Sequence, residues 1–402
     1  MRKIITTISL VILTFSLAMS QSNDSTNIFV NSAEKLLQTD GKLKIGGYGE
    51  VHYNQPLDDE IRQNGKLDVH RIVMLFGYQF NDRTQFVTEI EYEHVEEVYI
   101  EQAWLQYQLN DYINFRTGLI LTPMGLINEY HEPTTFNGVE RPWMDKYIVP
   151  TTWREIGVGI NGNILQASMR YQAYIMNGFN GFDGEGQFGG SSGLRGGRQK
   201  AIESYISSPN FTGKIEYYGI RGLNIGLSGY FGRSQSQLYD GIEKDNSDAE
   251  AIADSSSVGI SMIGLDARYQ YHGFEMRGQY YYAAISNTDQ YNAFTAAADG
   301  TPNDLGSAMS GFYAEAGYNV LRLFSNTNKK LVPFVRYSNY NTHASVEDPI
   351  QQNDAYNRSV LTTGLTLQLA KGAVLKTDVQ FFNNEAADEP SHVFNAGFGV
   401  MF

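Results

Sequence analysis

The stretch SHVFNAGFGVMF, residues 391–402, alternates along its length. Phe394, Ala396, Phe398, Val400 and Phe402 fall on one face, and Asn395, Gly397, Gly399 and Met401 on the other. Successive side chains of a β-strand point to opposite sides, so this pattern describes a strand with one apolar face and one polar or small face. Working outward, RSVLTTGLTLQL (358–369), FEMRGQYYY (274–282) and MIGLDARYQYH (262–272) carry the same period of two. Counted from 42–53 to 391–402, about sixteen such segments follow one another, an even number typical of bacterial outer-membrane barrels.

The connections point the same way. Short ones at 80–83, 109–111, 161–163, 219–222, 271–273 and 370–373 alternate with long ones at 54–65, 123–152, 178–211, 234–256, 286–308 and 342–357. Only 94–97 and 384–390 break the contrast. Short turns at one end and long loops at the other are the signature of a transmembrane barrel whose termini share the short-turn side. Aromatic pairs near strand ends, such as Tyr217-Tyr218 and Phe381-Phe382, fit interfacial girdles. The expected architecture is therefore an all-β, antiparallel transmembrane barrel over 42–402, preceded by a lead-in over 21–41. A secreted β-sandwich or propeller is the competing all-β form.

Composition removes other classes. The 402-residue chain has a net charge of −14, which argues against a nucleic-acid partner. It has no Cys, so disulfide scaffolds, thiolate-bound metal and thiol catalysis are excluded. Mean hydropathy is −0.34, and beyond the first residues no run is long and apolar enough for a membrane helix. Residues 1–20 read as a secretory signal peptide, with basic Arg2 and Lys3, an apolar run from Ile4 to Leu17, and small Ala18 and Ser20. Export to the outer membrane, with lipid as surroundings, is the expectation.

A sharper likeness lies in YINFRTGLILTPMGLINEYHEP (112–133) and ERPWMDKYIVPTTWREIGVGINGNI (140–164), with GGYGEVHYN (46–54) and FVTEIEYEH (86–94) before them. A strand, a long loop holding a Glu140-Arg141 pair, and an Arg154-x-x-Gly157-Val return strand together resemble the phosphate-selective porin O and P family. The resemblance implies sixteen strands, a homotrimer, and a third outer loop folded into the pore. It implies passive passage of small hydrophilic solutes or ions, including anions such as phosphate. The family's pore is rich in Arg and Lys, whereas this chain is acidic and has no run of Lys on one strand face, so the likeness speaks for a porin more than for phosphate. A plugged barrel acting as an adhesin or structural surface protein is the alternative.

A charge facing lipid at mid-bilayer costs about 2–4 kcal/mol, so strand-centred charges are expected to face inward. These are Arg71, Glu89, Glu91, Arg116, Arg170, Asp266, Arg268, Glu275, Arg277, Arg336, Lys376 and Asp378. They either set a field across a channel or pair with one another and brace the infolded loop. Arg116, Glu140, Arg141 and Arg154 are expected near the constriction. The Gly-rich stretch 178–200 lacks a phosphate-loop pattern and reads as a flexible outer loop. The acidic stretch 239–257 reads as solvated. No His pair has metal-ligand spacing, and the His94 and His131-Glu132 clusters read as exposed polar groups. No GxSxG is present. Neither catalysis, a cofactor nor a metal is expected.

Overall fold

The computed structural model describes residues 31–57, 60–324, 327–387 and 389–402. The expected signal peptide lies outside the described residues. Sixteen strands close into one antiparallel barrel. The first eight are β1 Leu43–Leu57, β2 Lys66–Asn81, β3 Thr84–Glu93, β4 Glu97–Gln108, β5 Asn114–Leu121, β6 Arg154–Ile164, β7 Met169–Met176 and β8 Asn210–Ile220. The second eight are β9 Leu223–Arg233, β10 Gly259–Tyr271, β11 Phe274–Ser286, β12 Ala308–Tyr318, β13 Lys330–Ser345, β14 Asn357–Ala370, β15 Ala373–Asn384 and β16 Ser391–Met401. Each pairs with its neighbours in sequence, and β1 meets β16 with Tyr48 opposite Met401. Closure leaves no strand edge unpaired, as a lipid environment requires. Beyond the seam, Gly47 and Phe402 exchange backbone hydrogen bonds of 3.1 and 2.9 Å. A Cβ at position 47 would stand 2.8 Å from the Phe402 ring, so the close approach needs glycine.

The outer face is apolar. On β10, Ile263 and Leu265 are each 52 % exposed, while inward Met262 and Asp266 are buried. Ile72 and Met74 on β2 and Leu375 on β15 show the same parity. An exposed apolar band around the whole barrel suits lipid and would be a liability in water.

The interior is filled rather than open. The loop 122–153, here L3, enters the barrel and carries two short helices, Leu126–Glu129 and Met144–Tyr147. Its Met124, Met144, Ile148 and Trp153 pack with Phe179, Phe188 and Leu194 of the loop 177–209, here L4. Both pack on inward residues of β9–β14, including Tyr230, Met262, Tyr281, Met309 and Tyr340. The Gly-rich stretch thus differs from its expectation. It is not a flexible outer loop but part of this apolar core, and its glycines permit close approach. A Cβ on Gly190 would lie 2.3 Å from the His343 ring. In the acidic stretch 239–257, a mostly exposed helix spans Ser247–Ser255, capped by Asn246 accepting from the Ala249 amide at 3.1 Å.

The end of the lead-in is also inside. A helix at Ser32–Leu37 buries Ala33 and Leu36 against β1 and β2, where Gly46 and Gly77 leave room for Leu36. Glu34 reaches Arg170 on β7 at 3.0 Å, and the Ser32 amide donates to Glu132 of L3 at 2.6 Å. The segment therefore spans the lumen near the short-turn end.

Candidate functional site

L3 is held at its neck by one side chain. The Asn128 amide donates to the carbonyls of Thr122 and Trp153 at 2.8 and 2.9 Å and accepts from the Trp153 amide at 2.8 Å. Those bonds tie the two ends of the loop together, so the intervening chain must project into the barrel. Within, backbone and side-chain groups of L3 meet the wall on nearly every side. Gly125 donates to the Tyr281 hydroxyl at 2.6 Å and Leu126 to Gln279 at 2.8 Å. Lys214 of β8 pairs with Glu129 at 2.6 Å. Asn137 donates to Glu275 at 2.6 Å, and the Val139 amide donates to Asp378 at 2.7 Å. Buried polar groups in a low-dielectric interior are costly unless paired, and here the wall's charges supply the pairs.

The inward charges named from sequence fall into two groups. Arg71, Glu89, Arg170, Arg268, Arg277 and Arg336 all engage other charges or L3. Arg71 pairs with Glu50 at 2.6 Å and donates to the His131 carbonyl. Arg170 and Arg268 share Glu216, and Arg268 lies over the Tyr130 ring at 3.8 Å. Arg277 and Arg336 share Glu315 at 3.0 and 2.7 Å. Arg336 also donates to the carbonyls of Asn137 and Glu140. Glu275 and Asp378 receive L3 donors as above, Asp266 pairs with Lys214 at 3.0 Å, and Lys376 sits over the Phe136 ring at 3.7 Å.

The second group borders a cavity of about 160 Å³ between L3, β1–β3 and L4. Glu91, Glu140 and Arg141 line it, joined by Arg71. Glu140 accepts from Asn54 at 2.9 Å and lies 3.2 Å from His52. Burial alone would raise its carboxyl, but those hydrogen bonds outweigh burial and hold it at about 2. Arg116 lies apart from this cavity, stacked on Trp104 at 4.1 Å and bonded to Gln106. Arg154 stands at the neck, donating to the Thr152 carbonyl at 3.3 Å.

Sequence reasoning passed over Arg195 and Arg198, which join the loop cations Arg141 and Lys146 at the long-loop side. Among the described residues none of these four has an ion pair. Their charges crowd one another. Burial, then Arg141, lowers Arg195; burial, then Arg195, lowers Lys146. Burial, then Arg195 and Arg154, pushes Arg198 down to about 9. Their sequence signal is Arg195-Gly-Gly-Arg198, two cations spaced by glycines that also fit a flexible loop. Also passed over were Glu50, His52 and His70 on the cavity wall.

Asp145 gives L3 a pH dependence. It is buried on L3 and accepts from Gln279 at 2.6 Å, yet burial drives its carboxyl up to about 7. The folded state keeps a proton that the unfolded chain loses above about pH 4. Stability from this group is therefore full below that pH and declines as pH rises through 7. Asp145→Asn is expected to gain on the parent by roughly 2–4 kcal/mol between pH 5 and 8. Thermal unfolding followed by circular dichroism at both pH values measures it; parallel curves for the two proteins would refute it.

This geometry defines a class: an outer-membrane-type β-barrel with a loop folded inside. Solved structures of that class share the fold. Salmonella typhi OmpF in complex with daunomycin aligns with a TM-score of 0.57 and 11 % identity, covering 90 % of this chain and 97 % of that one. An anion-selective porin from Comamonas acidovorans aligns at 0.54 and 11 % identity, covering 90 % and 99 %. The trimer form of Vibrio cholerae OmpT aligns at 0.53 and 10 % identity, covering 90 % and 99 %. No protein-family model matches the chain. By sequence, the chain belongs to the same family as an uncharacterized protein of Aquifex aeolicus (strain VF5), 33 % identical over 384 residues, covering 92 % of this chain and 82 % of the relative.

Proposed function

We propose that this barrel is an outer-membrane porin for passive diffusion of small hydrophilic solutes, with a preference for small anions, inorganic phosphate among them. The observation that carries the reading is the group Arg141, Lys146, Arg195 and Arg198. Arg141, Lys146 and Arg195 line the interior cavity and Arg198 lies against Arg195, none of them ion-paired to a carboxylate among the described residues. Unpaired charge beside a narrow, low-dielectric passage draws counter-ions and repels cations. The porin fold and the presence of an anion-selective porin among its structural neighbours support the same direction. The likeness to phosphate-selective porins O and P supports phosphate as a solute and a homotrimer as the assembly.

The filled interior favours a second reading, a plugged barrel that displays its long loops as an adhesin or structural protein. One experiment separates the two. Purified, heat-modifiable protein is inserted in a planar bilayer under a KCl gradient, and phosphate is then added. Steps of conductance with a reversal potential on the anion side are expected, with partial block by phosphate. Folded protein that never conducts would overturn the porin reading in favour of the plugged one. A cation-side reversal potential would overturn the anion preference alone.

A further inference from the structure

On the wall opposite the apolar core, β1, β3, β4 and L3 converge on a buried cluster. His131 Nε2 lies 3.5 Å from Glu89 Oε1 and 3.2 Å from Glu101 Oε2. The Tyr48 hydroxyl stands 2.8 Å from the same nitrogen and donates to Glu89 at 2.5 Å. Glu89 and Glu101 are 0 % exposed and His131 1 %. We propose that Glu89, Glu101 and His131 bind one divalent transition-metal ion of the zinc class, fastening L3 to the barrel wall.

Four features point to an ion. First, ligands at about 2.1 Å around tetrahedral zinc lie about 3.4 Å from one another, close to the separations seen. Second, His131 Nδ1 donates to the Asn128 carbonyl at 3.0 Å, which turns Nε2 toward the two carboxylates. A histidine ligand is ordinarily oriented by such a bond on its other nitrogen. Third, Gln102 donates to Glu89 Oε2 at 2.5 Å and itself accepts from the Trp104 indole at 3.0 Å, a supporting layer that fixes the carboxylate. Fourth, Glu101 Oε1 is buried and takes no hydrogen bond from an N–H or hydroxyl group, while the Glu91 carboxyl lies against the same side chain, so two acidic groups meet where a cation or a shared proton must join them. Arg71 is committed to Glu50 and Glu91, which leaves His131 as the group nearest to Glu89 and Glu101. One imidazole and two carboxylates suit zinc, iron(II) or manganese(II) better than calcium. Arg71 and Glu91, which line the 160 Å³ cavity, stand between it and the cluster.

A second group, Asp68, His70 and His94 at the long-loop rim, also brings three donor side chains together. The experiment must tell the two apart. Folded protein in detergent is stripped with EDTA, then equilibrated with zinc chloride in the presence of excess magnesium. Bound zinc is counted by mass spectrometry and thermal unfolding is recorded. One zinc per chain and a raised unfolding temperature are expected, unchanged in His94→Ala. Glu101→Gln and His131→Gln are expected to weaken zinc by more than about 100-fold. Should both variants fail the heat-modifiability test of folding, cobalt(II) in the parent and in His94→Ala decides. Four-coordinate visible bands in both support the buried site. Absence of zinc from the parent would leave His131 an ion-paired side chain and overturn the proposal. So would zinc or cobalt bands that vanish in His94→Ala. None of these readouts depends on conductance, so the channel reading and this one fail separately.

Discussion

Arg336→Ala is expected to destabilise the folded barrel by about 3–5 kcal/mol, the usual cost of breaking a buried ion pair from one side. The guanidinium is 1 % exposed and holds three groups at once: Glu315, the Asn137 carbonyl and the Glu140 carbonyl. Its loss leaves two L3 carbonyls without their donor and Glu315 with Arg277 and the Asn137 amide only. Arg336→Lys keeps the charge but not the fork that reaches both loop and wall, so it should fall between the two. Thermal unfolding gives the stability change, and amide exchange over 136–141 gives the loosening of L3. Parent-like protection of that stretch in the alanine variant would mean that L3 is held from elsewhere.

Replacing both Arg141 and Arg195 by Gln is expected to shift the reversal potential under a KCl gradient toward the cation side. A unit charge about 7 Å from a passing ion contributes about 0.6 kcal/mol even in water. Two such charges favour an anion by about 1.2 kcal/mol and oppose a cation by as much, so before screening they change the anion-to-cation ratio by about 50-fold, and by much less at 1 M, where the Debye length is about 3 Å. Neither side chain braces the loop: Arg141 has no hydrogen bond among the described residues, and Arg195 only a 3.4 Å contact to the Lys146 carbonyl. Folding should survive. An unchanged reversal potential in a conducting variant would remove these residues from any selective role.

The barrel was legible in the sequence because lipid imposes a strict rule on every strand. Ile263 and Leu265 must face out if Asp266 and Arg268 are to face in, and one residue of slip would place charge in hydrocarbon. What the inward charges do was not legible. Arg277 and Arg336 converge on Glu315, and His131 meets Tyr48 from 83 residues away, through closure of the barrel. No local spacing records that. The dry half of the lumen left a faint trace: Ile260, Met262 and Ile263 place apolar side chains on both faces of one strand. A strand between lipid and water has no need of that. In the 178–200 loop glycine means tight contact at Gly190 and Gly197, not freedom, and composition alone does not distinguish the two.

The apolar core formed by L3, L4 and the inner wall has a thermodynamic consequence. An empty membrane barrel buries little apolar surface away from water, since its hydrophobic face goes to lipid. Here Trp153, Phe179, Phe188 and Met262 are buried inside the barrel, away from both lipid and water. Their exposure on unfolding would carry the large positive heat capacity of a water-soluble domain. The barrel therefore acts as a casing around a small globular interior. That interior can melt, or be weakened by cold, on a curve of its own while the wall's hydrogen bonds remain intact.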